Sequence, residues 1–110
     1  MKEELEKKAK KILEDLGIKD YYKDKPFVIK KRKIKIFDSK GHFKEELGWS
    51  LTVSAPNWQF NNDQGVYGIN FLLDGTPYRI GSGTGGRPMY GFITKDENGK
   101  YKAVATVEEI

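Results

Sequence analysis

The first residues of the chain carry apolar side chains at helical spacing, with lysine and glutamate between them. The apolar stripe consists of Leu5, Ala9, Ile12, Leu13 and Leu16. Because residues three and four positions apart share one face of an α-helix, this spacing predicts an amphipathic helix over residues 2–16. Gly17 predicts its end, since glycine readily adopts the left-handed conformation that terminates helices.

From residue 27 onwards the pattern changes to alternation between apolar and polar positions, which is typical of half-buried strands. The predicted strands cover residues 27–37, 43–54, 66–73, 76–80, 88–95 and 101–109. Turns are predicted at DSKG (38–41), Asp74-Gly75 and Asn98-Gly99, the last as a two-residue hairpin loop. A polar loop is expected over residues 55–65.

The order and lengths of these elements predict an α+β fold. Short connections place consecutive strands side by side, which gives a meander. The apolar stripe must be covered, so we expect the N-terminal helix to pack across a single curved antiparallel sheet, a meander or half-barrel, of five to six strands. The length fits a single domain over residues 1–110, with the helix in 1–17 and the sheet in 27–110.

Charge and glycine content divide the chain into unlike parts. Residues 1–20 and 94–110 combine strong helix formers, charges matched to the helix dipole and an Asn-Gly turn. In this style, though in no specific motif, they resemble computationally designed proteins, which implies idealised local structure at both ends. Residues 47–93 hold 9 of the 12 glycines, both tryptophans and only four charged residues. This middle part breaks the local rules, so a functional site is expected within residues 48–92.

The aromatic and polar residues of the middle part form the candidate ligand-binding site. They are Trp49, Asn57, Trp58, Asn61, Tyr67, Tyr78, Arg79, Arg87 and Tyr90. Aromatic walls with a few placed polar groups are typical of small-molecule sites, and the same residue types dominate protein-binding surfaces. Trp49, Tyr67 and Tyr90 are equally compatible with a place in the core. The favoured interpretation is a non-enzymatic binding protein for a small molecule or a protein partner, natural or engineered.

Two sequence motifs offer other functions. GSGTGG (81–86) matches the dinucleotide-binding pattern, but that pattern needs a following helix, and residues 88–95 predict a strand. A flexible hairpin loop is therefore favoured. The basic strand residues 30–35 suggest single-stranded nucleic-acid binding with aromatic stacking. These cations are expected on both strand faces, and lysines also protect edge strands from aggregation, so nucleic acid is a less favoured partner.

A small designed enzyme is the remaining alternative. Asp63 and Glu45 would act as bases if buried, but no nucleophile pairs with them in the sequence. His42 is the single histidine and the chain has no cysteine, so no metal and no cofactor are expected. Without a long apolar run or a signal-peptide pattern, a cytoplasmic location is expected, away from membranes. The sequence leaves open whether the chain is a monomer or a dimer.

Overall fold

In the computed structural model, the chain forms one helix and a six-stranded antiparallel sheet. The structure describes residues 1–57, 62–82 and 91–106, with residues 57 and 62–64 described by their backbone alone. The elements are α1 (Lys2–Asp15), β1 (Val28–Phe37), β2 (Phe43–Asn57), β3 (Asn62–Leu72), β4 (Pro77–Ser82), β5 (Phe92–Lys95) and β6 (Tyr101–Val104). The predicted α+β class is confirmed, and Gly17 follows α1 with a φ of 73°, as the helix stop requires.

The strands lie in the sheet in the same order as in the chain. Each of β1 to β5 pairs antiparallel with the strand that follows it. This is the predicted meander. Within the ranges that the structure describes, no pairing joins β1 to β6, so the sheet is open and has these two strands as its edges.

The connection between β2 and β3 differs from the prediction. Pairing continues past the expected strand end, with Ala55 opposite Gly65 and Asn57 opposite Asn62 across an irregularity in register. The predicted loop at 55–65 is therefore too long. Its polar residues are weak strand formers, but ladder pairing with a neighbouring strand overrides such weak local preferences. For the predicted strand 88–95, the structure describes the part from Phe92 to Lys95 as β5.

Three hairpin turns share one backbone geometry. In each turn the N–H of the first residue donates to the carbonyl oxygen of the fifth residue at 2.8–2.9 Å. The fourth residue is a glycine, and its N–H donates to the carbonyl oxygen of the first residue. The glycines are Gly41, Gly75 and Gly99, with φ between 77° and 93°. This is the three-residue hairpin loop in which a left-handed glycine follows a type I turn.

The turn before β6 is thus one residue longer than the two-residue loop that Asn98-Gly99 predicts. Asp96 explains the difference, because its Oδ1 accepts the N–H groups of Asn98 (2.8 Å) and Lys100 (3.0 Å). These two bonds fix Asp96 as the first residue of the turn. Asp38 accepts two N–H groups in the same way in the turn after β1.

One hydrophobic core contains the buried side of α1 and alternate residues of the strands. It includes Leu5, Ala9, Ile12 and Leu13 from α1 together with Leu51, Val53, Ala55, Tyr67, Ile69, Phe71, Ile80, Ile93 and Tyr101 from the sheet. The predicted helix stripe is confirmed for its first four members, and Leu16 is partly buried against the same core. We call the sheet face that carries these strand residues the helix face.

Two further buried side chains lie on the opposite face, here called the outer face. Ile34 is 4% exposed and Phe92 is 9% exposed, and neither belongs to the core of the helix face. Phe92 directly precedes the core residue Ile93, so the alternation of strand side chains puts it on the outer face. The ring of Phe37, at the end of β1, lies 5.7 Å from that of Phe92 in β5. The sheet is therefore curved enough for its first strand to reach its fifth.

Asp15 connects the end of α1 to β6. Its Oδ2 accepts the N–H of Tyr101 at 2.9 Å and a hydrogen bond from Lys11 Nζ at 3.1 Å. The bond from Tyr101 contributes most, and together with Lys11 it favours the charged carboxylate and holds the pKa of Asp15 below its ordinary value of 3.8.

This lowered pKa predicts a loss of stability in acid. A carboxyl group whose pKa is lower in the folded state stabilises the protein above the unfolded pKa, and this contribution disappears as the pH falls through the folded pKa. We expect the free energy of unfolding to fall more steeply below about pH 4 in the parent protein than in Asp15→Asn. Urea denaturation between pH 2 and pH 7 measures this, with Asp24→Asn, at an exposed position, as the control. An equal acid slope in all three proteins would contradict it.

Candidate functional site

The outer face carries a row of polar residues that crosses four neighbouring strands. Strand register places Lys30 opposite Ser50, Ser50 opposite Asn70, and Asn70 opposite Arg79. Residues opposite each other in an antiparallel pair point to the same face of the sheet. Arg79 immediately precedes the core residue Ile80, so the row lies on the outer face.

The adjacent row consists of small residues. Thr52 lies opposite Gly68, and Gly68 lies opposite Gly81. A Cβ added at Gly68 or at Gly81 would have none of the described atoms within 4 Å. The two glycines therefore leave a depression in the outer face, where longer side chains would otherwise cover the backbone.

Two cavities on this face have Asn70 and Arg79 in common in their lining, and together they are here called the outer groove. One, of about 250 Å³, is bordered by Gly68, Gly81, Asn70 and Arg79. The other, of about 300 Å³, extends towards β1 and includes Ser50 and again Asn70 and Arg79 in its lining. Asn70 and Arg79 therefore stand at the junction of the two halves.

Arg79 is held in place by aromatic rings. Its guanidinium carbon lies 4.9 Å from the ring centre of Phe37 and 5.9 Å from that of Phe92. Phe92 also meets Tyr78 edge to face at 5.6 Å, and the hydroxyl of Tyr78 accepts the N–H of Phe37 at 2.8 Å. These contacts define the aromatic cluster Phe37, Tyr78 and Phe92. Stacking of this kind restrains the guanidinium while leaving its N–H groups available for other partners.

The charge of the outer groove is positive. Lys30 and Arg32 of β1 share its face with Arg79, and no carboxylate in the described part of the chain forms an ion pair with Arg79. Among the described outer-face positions of β1 to β4, Glu46 is the single acid, and it pairs with Lys44 at 3.0 Å. Among the described residues, no carboxylate would have to leave Arg79 for an anion to bind in the groove.

Two of the predicted site residues have structural roles on the helix face. Tyr67 is 2% exposed, belongs to the core, and donates its hydroxyl hydrogen to Asp20 Oδ1 at 2.6 Å. Trp49 is half-buried against the edge of the core, and its Nε1–H donates to the carbonyl of Leu73 at 3.2 Å. Tyr67 therefore belongs to the core and Trp49 packs against its edge, while a ligand contact of either residue stays a prediction.

Of two other predicted residues, Arg79 lines the outer groove and its neighbour Tyr78 belongs to the aromatic cluster. For Asn57 the backbone alone is described, opposite Asn62. Trp58, Asn61, Arg87 and Tyr90 lie outside the described residues. The predicted set is thus divided between the two sheet faces as far as the structure describes it.

Sequence reasoning missed Ser50, Asn70, Gly68 and Gly81 as members of a shared surface. One signal was present in the sequence, because Asn70 is a polar amide within the otherwise apolar strand segment 66–73. The second signal, that the two glycines face each other, depends on strand register and not on any local motif.

The other candidate chemistries occupy exposed or divided positions. The basic residues of β1 alternate between faces, as predicted, so that Lys31 lies over the Trp49 ring at 5.1 Å while Arg32 borders the outer groove. His42 and Glu45 are exposed, and the side chain of Asp63 is outside the described part. Within the described ranges no group of three or more His, Asp or Glu residues is placed to hold a metal ion.

Comparisons of the chain with protein-family models, with curated proteins and with solved structures found no match. Among the residues that the structure describes, no helix combines the length and the apolar character needed to cross a membrane.

Proposed function

We propose that the protein is a non-enzymatic binding protein whose outer groove takes a small ligand carrying a carboxylate or phosphate group. One observation carries this proposal. Arg79 is held over Phe37 and Phe92, without a carboxylate partner among the described residues, at the junction of the two halves of the groove.

The chemistry of the groove supports an anionic ligand. A guanidinium presents planar N–H donors that match the two oxygens of a carboxylate or phosphate. Restraint by the aromatic cluster lowers the conformational entropy that Arg79 loses on binding. The hydroxyl of Ser50 and the amide of Asn70 lie in the same row and supply further hydrogen-bonding groups. The open floor at Gly68 and Gly81 admits the body of the ligand close to the backbone.

The first test uses benzoate and inorganic phosphate as probes. We expect either anion to shift the backbone amide signals of Gly68, Asn70 and Gly81 in ¹H–¹⁵N NMR spectra. Arg79→Lys keeps the charge but loses the planar donor pair, so it should weaken binding by about tenfold, or ~1.4 kcal/mol. Lys102→Gln, at an exposed position of β6, is the control and should bind as the parent protein does. Equal affinity for Arg79→Lys and the parent protein would overturn the proposal.

A second prediction separates binding from folding. Gly81→Ala places a methyl group in the groove where it meets no described atom within 4 Å. Its free energy of unfolding should stay level or rise by about 0.4–1 kcal/mol, because alanine restricts the unfolded chain. Benzoate affinity should fall at the same time, and calorimetric titration beside urea denaturation measures both. Retained affinity would place the ligand elsewhere.

Single-stranded nucleic acid is a second candidate, favoured by the position of Lys30 and Arg32 on the same face as Arg79. Phosphate neutralisation by these cations predicts affinity that falls steeply with salt. Fluorescence anisotropy with a labelled oligothymidine between 50 and 200 mM salt distinguishes the two functions. Three phosphate contacts on a single strand predict a roughly 20-fold loss of affinity over this range. A salt dependence of this size that Lys30→Glu reduces would favour nucleic acid, and the absence of oligothymidine binding would leave the small anion as the ligand.

Three sequence predictions remain proposals. We infer that α1 lies across the helix face of the sheet, which is supported by the core that it shares with β2, β3 and β4. An engineered origin is supported by the three turns of one geometry, since designed chains favour a few idealised turn types. A cytoplasmic location remains a proposal that rests on the sequence alone.

A further inference from the structure

A separate cavity lies between α1 and the segment that joins it to β1. Its volume is about 450 Å³, within the range of small-molecule sites. Ile18, Tyr21 and Phe27 provide apolar lining, and the lining also includes Lys10, Lys19 and Lys23. We call this the linker cavity. It shares no lining residue with the outer groove, so ligand binding in the linker cavity can be tested separately from ligand binding in the groove.

The joining segment is fixed at three points along its length. The N–H of Ile18 donates to the Leu13 carbonyl at 2.9 Å, which ties the segment to α1. Tyr22 N–H donates to the Ser54 carbonyl at 2.8 Å, and Asp20 accepts the hydroxyl hydrogen of the core residue Tyr67. A wall anchored in this way does not have to be ordered when a ligand binds, which saves conformational entropy.

Two aromatic rings form a corner in the linker cavity. The ring centres of Tyr21 and Phe27 are 6.2 Å apart, and their planes meet at 61°. Both residues are half-buried, so each ring presents one side to the core and another to the cavity. A flat aromatic ligand can pack against one ring while presenting its edge to the other, the arrangement that aromatic groups prefer.

Lysines surround this apolar corner. Lys10 Nζ lies 5.9 Å from the ring centre of Phe27, and Lys23 Nζ lies 5.8 Å from that of Tyr21. Lys19 adds a third cation, whereas Glu14 is the single acid in the lining. Lys10 Nζ also lies 3.4 Å from Glu6 Oε1 in an exposed ion pair, with which a carboxylate ligand has to compete. The excess of positive charge around an apolar surface matches a molecule that combines an apolar body with one negative group.

From this arrangement we propose that the linker cavity is a binding site for an aromatic carboxylate. The ring of the ligand packs into the corner of Tyr21 and Phe27. Its carboxylate lies at the cavity mouth between Lys10 and Lys23, where it remains partly hydrated.

The probe for the test is 2-naphthoate, followed by ¹H–¹⁵N NMR. We expect saturable shifts at the amides of Ile18, Tyr21 and Phe27. The double variant Lys10→Glu/Lys23→Glu should bind naphthoate about five- to tenfold more weakly, because two attractive charges near the carboxylate become repulsive. Lys40→Glu/Lys102→Glu changes the net charge equally at exposed positions outside the cavity and should keep the parent affinity.

Neutral 2-naphthamide provides the second comparison, since its affinity should be low and equal in the parent and the Lys10→Glu/Lys23→Glu variant. Equal weakening of naphthoate by both double variants would show a diffuse charge effect and overturn the proposal. Shifts confined to Gly68, Asn70 and Gly81, abolished by Arg79→Lys, would also overturn it, because they would place naphthoate in the outer groove. Binding at the linker cavity that Arg79→Lys leaves unchanged would support it even if the outer groove takes no ligand.

Discussion

Gly48→Ala is expected to lower the free energy of unfolding by about 3 kcal/mol, at the upper end of the range for overpacked positions. A Cβ at this position would lie 2.5 Å from the carbonyl oxygen of Phe71 and 2.8 Å from Cδ1 of Ile34. The oxygen belongs to the backbone of the neighbouring strand β3, so it cannot move without disturbing the ladder. The absence of a side chain at Gly48 is what allows Ile34 to pack down onto β2 on the outer face.

Gly68→Ala is the matched control, because it makes the same chemical change within the same sheet at a site with no described atom within 4 Å. Urea denaturation followed by tryptophan fluorescence measures both variants. The two should differ by at least about 2 kcal/mol, with Gly68→Ala at or slightly above the parent value. Equal stability of the two variants would mean that the contact between Ile34 and β2 is not tight in solution.

Phe71→Ala is expected to cost about 3–5 kcal/mol, a large share of the ~5–15 kcal/mol that holds a typical domain together. Phe71 is fully buried and, among the residues that the structure describes, is the largest side chain with almost no exposed surface. Removal of its ring would leave a cavity among residues of α1, β2 and β3. The neighbouring side chains are closely packed, so they can move into this cavity only in part.

Because Phe71→Ala leaves little stability to measure, Phe71→Leu is the quantitative variant, and it should lose less because more of the volume is retained. Leu73→Ala is the control. Leu73 is only two residues away but 48% exposed, so its truncation should change stability by less than about 0.5 kcal/mol. If thermal denaturation shows that Leu73→Ala lowers the melting temperature as much as Phe71→Leu does, the assignment of Phe71 to the core is wrong.

The sequence pattern predicted the helix and the order of the strands because both depend on local periodicity. The stripe from Leu5 to Leu13 is buried as its spacing requires, and α1 ends before Gly17. The strand ends were harder to predict. Asn57 and Asn62 favour loops locally, but each is paired with the other across the ladder, an interaction that the sequence of either strand does not reveal.

The site was predictable only in part, because the sheet has buried side chains on both of its faces. Alternation identified Tyr67 and Trp49 as aromatic strand residues, but it could not tell a core position from a ligand site. Ile34 and Phe92 are buried on the outer face, since the curvature of the sheet brings β1 to β5. Arg79 was singled out because cations are rare in the middle of the chain, and its stacking on Phe37 depends on that curvature.

The facing glycines of the outer groove have a practical consequence, since the chain contains no cysteine. A single thiol introduced by Gly81→Cys would be the only one in the protein, at a position with open space above the backbone. An environment-sensitive fluorophore attached there would lie beside Asn70 and Arg79 and would report the binding of the ligand proposed for the outer groove. The open space at Gly68 and Gly81 thus allows a fluorescent label to be placed at the proposed binding site without a change to any core residue.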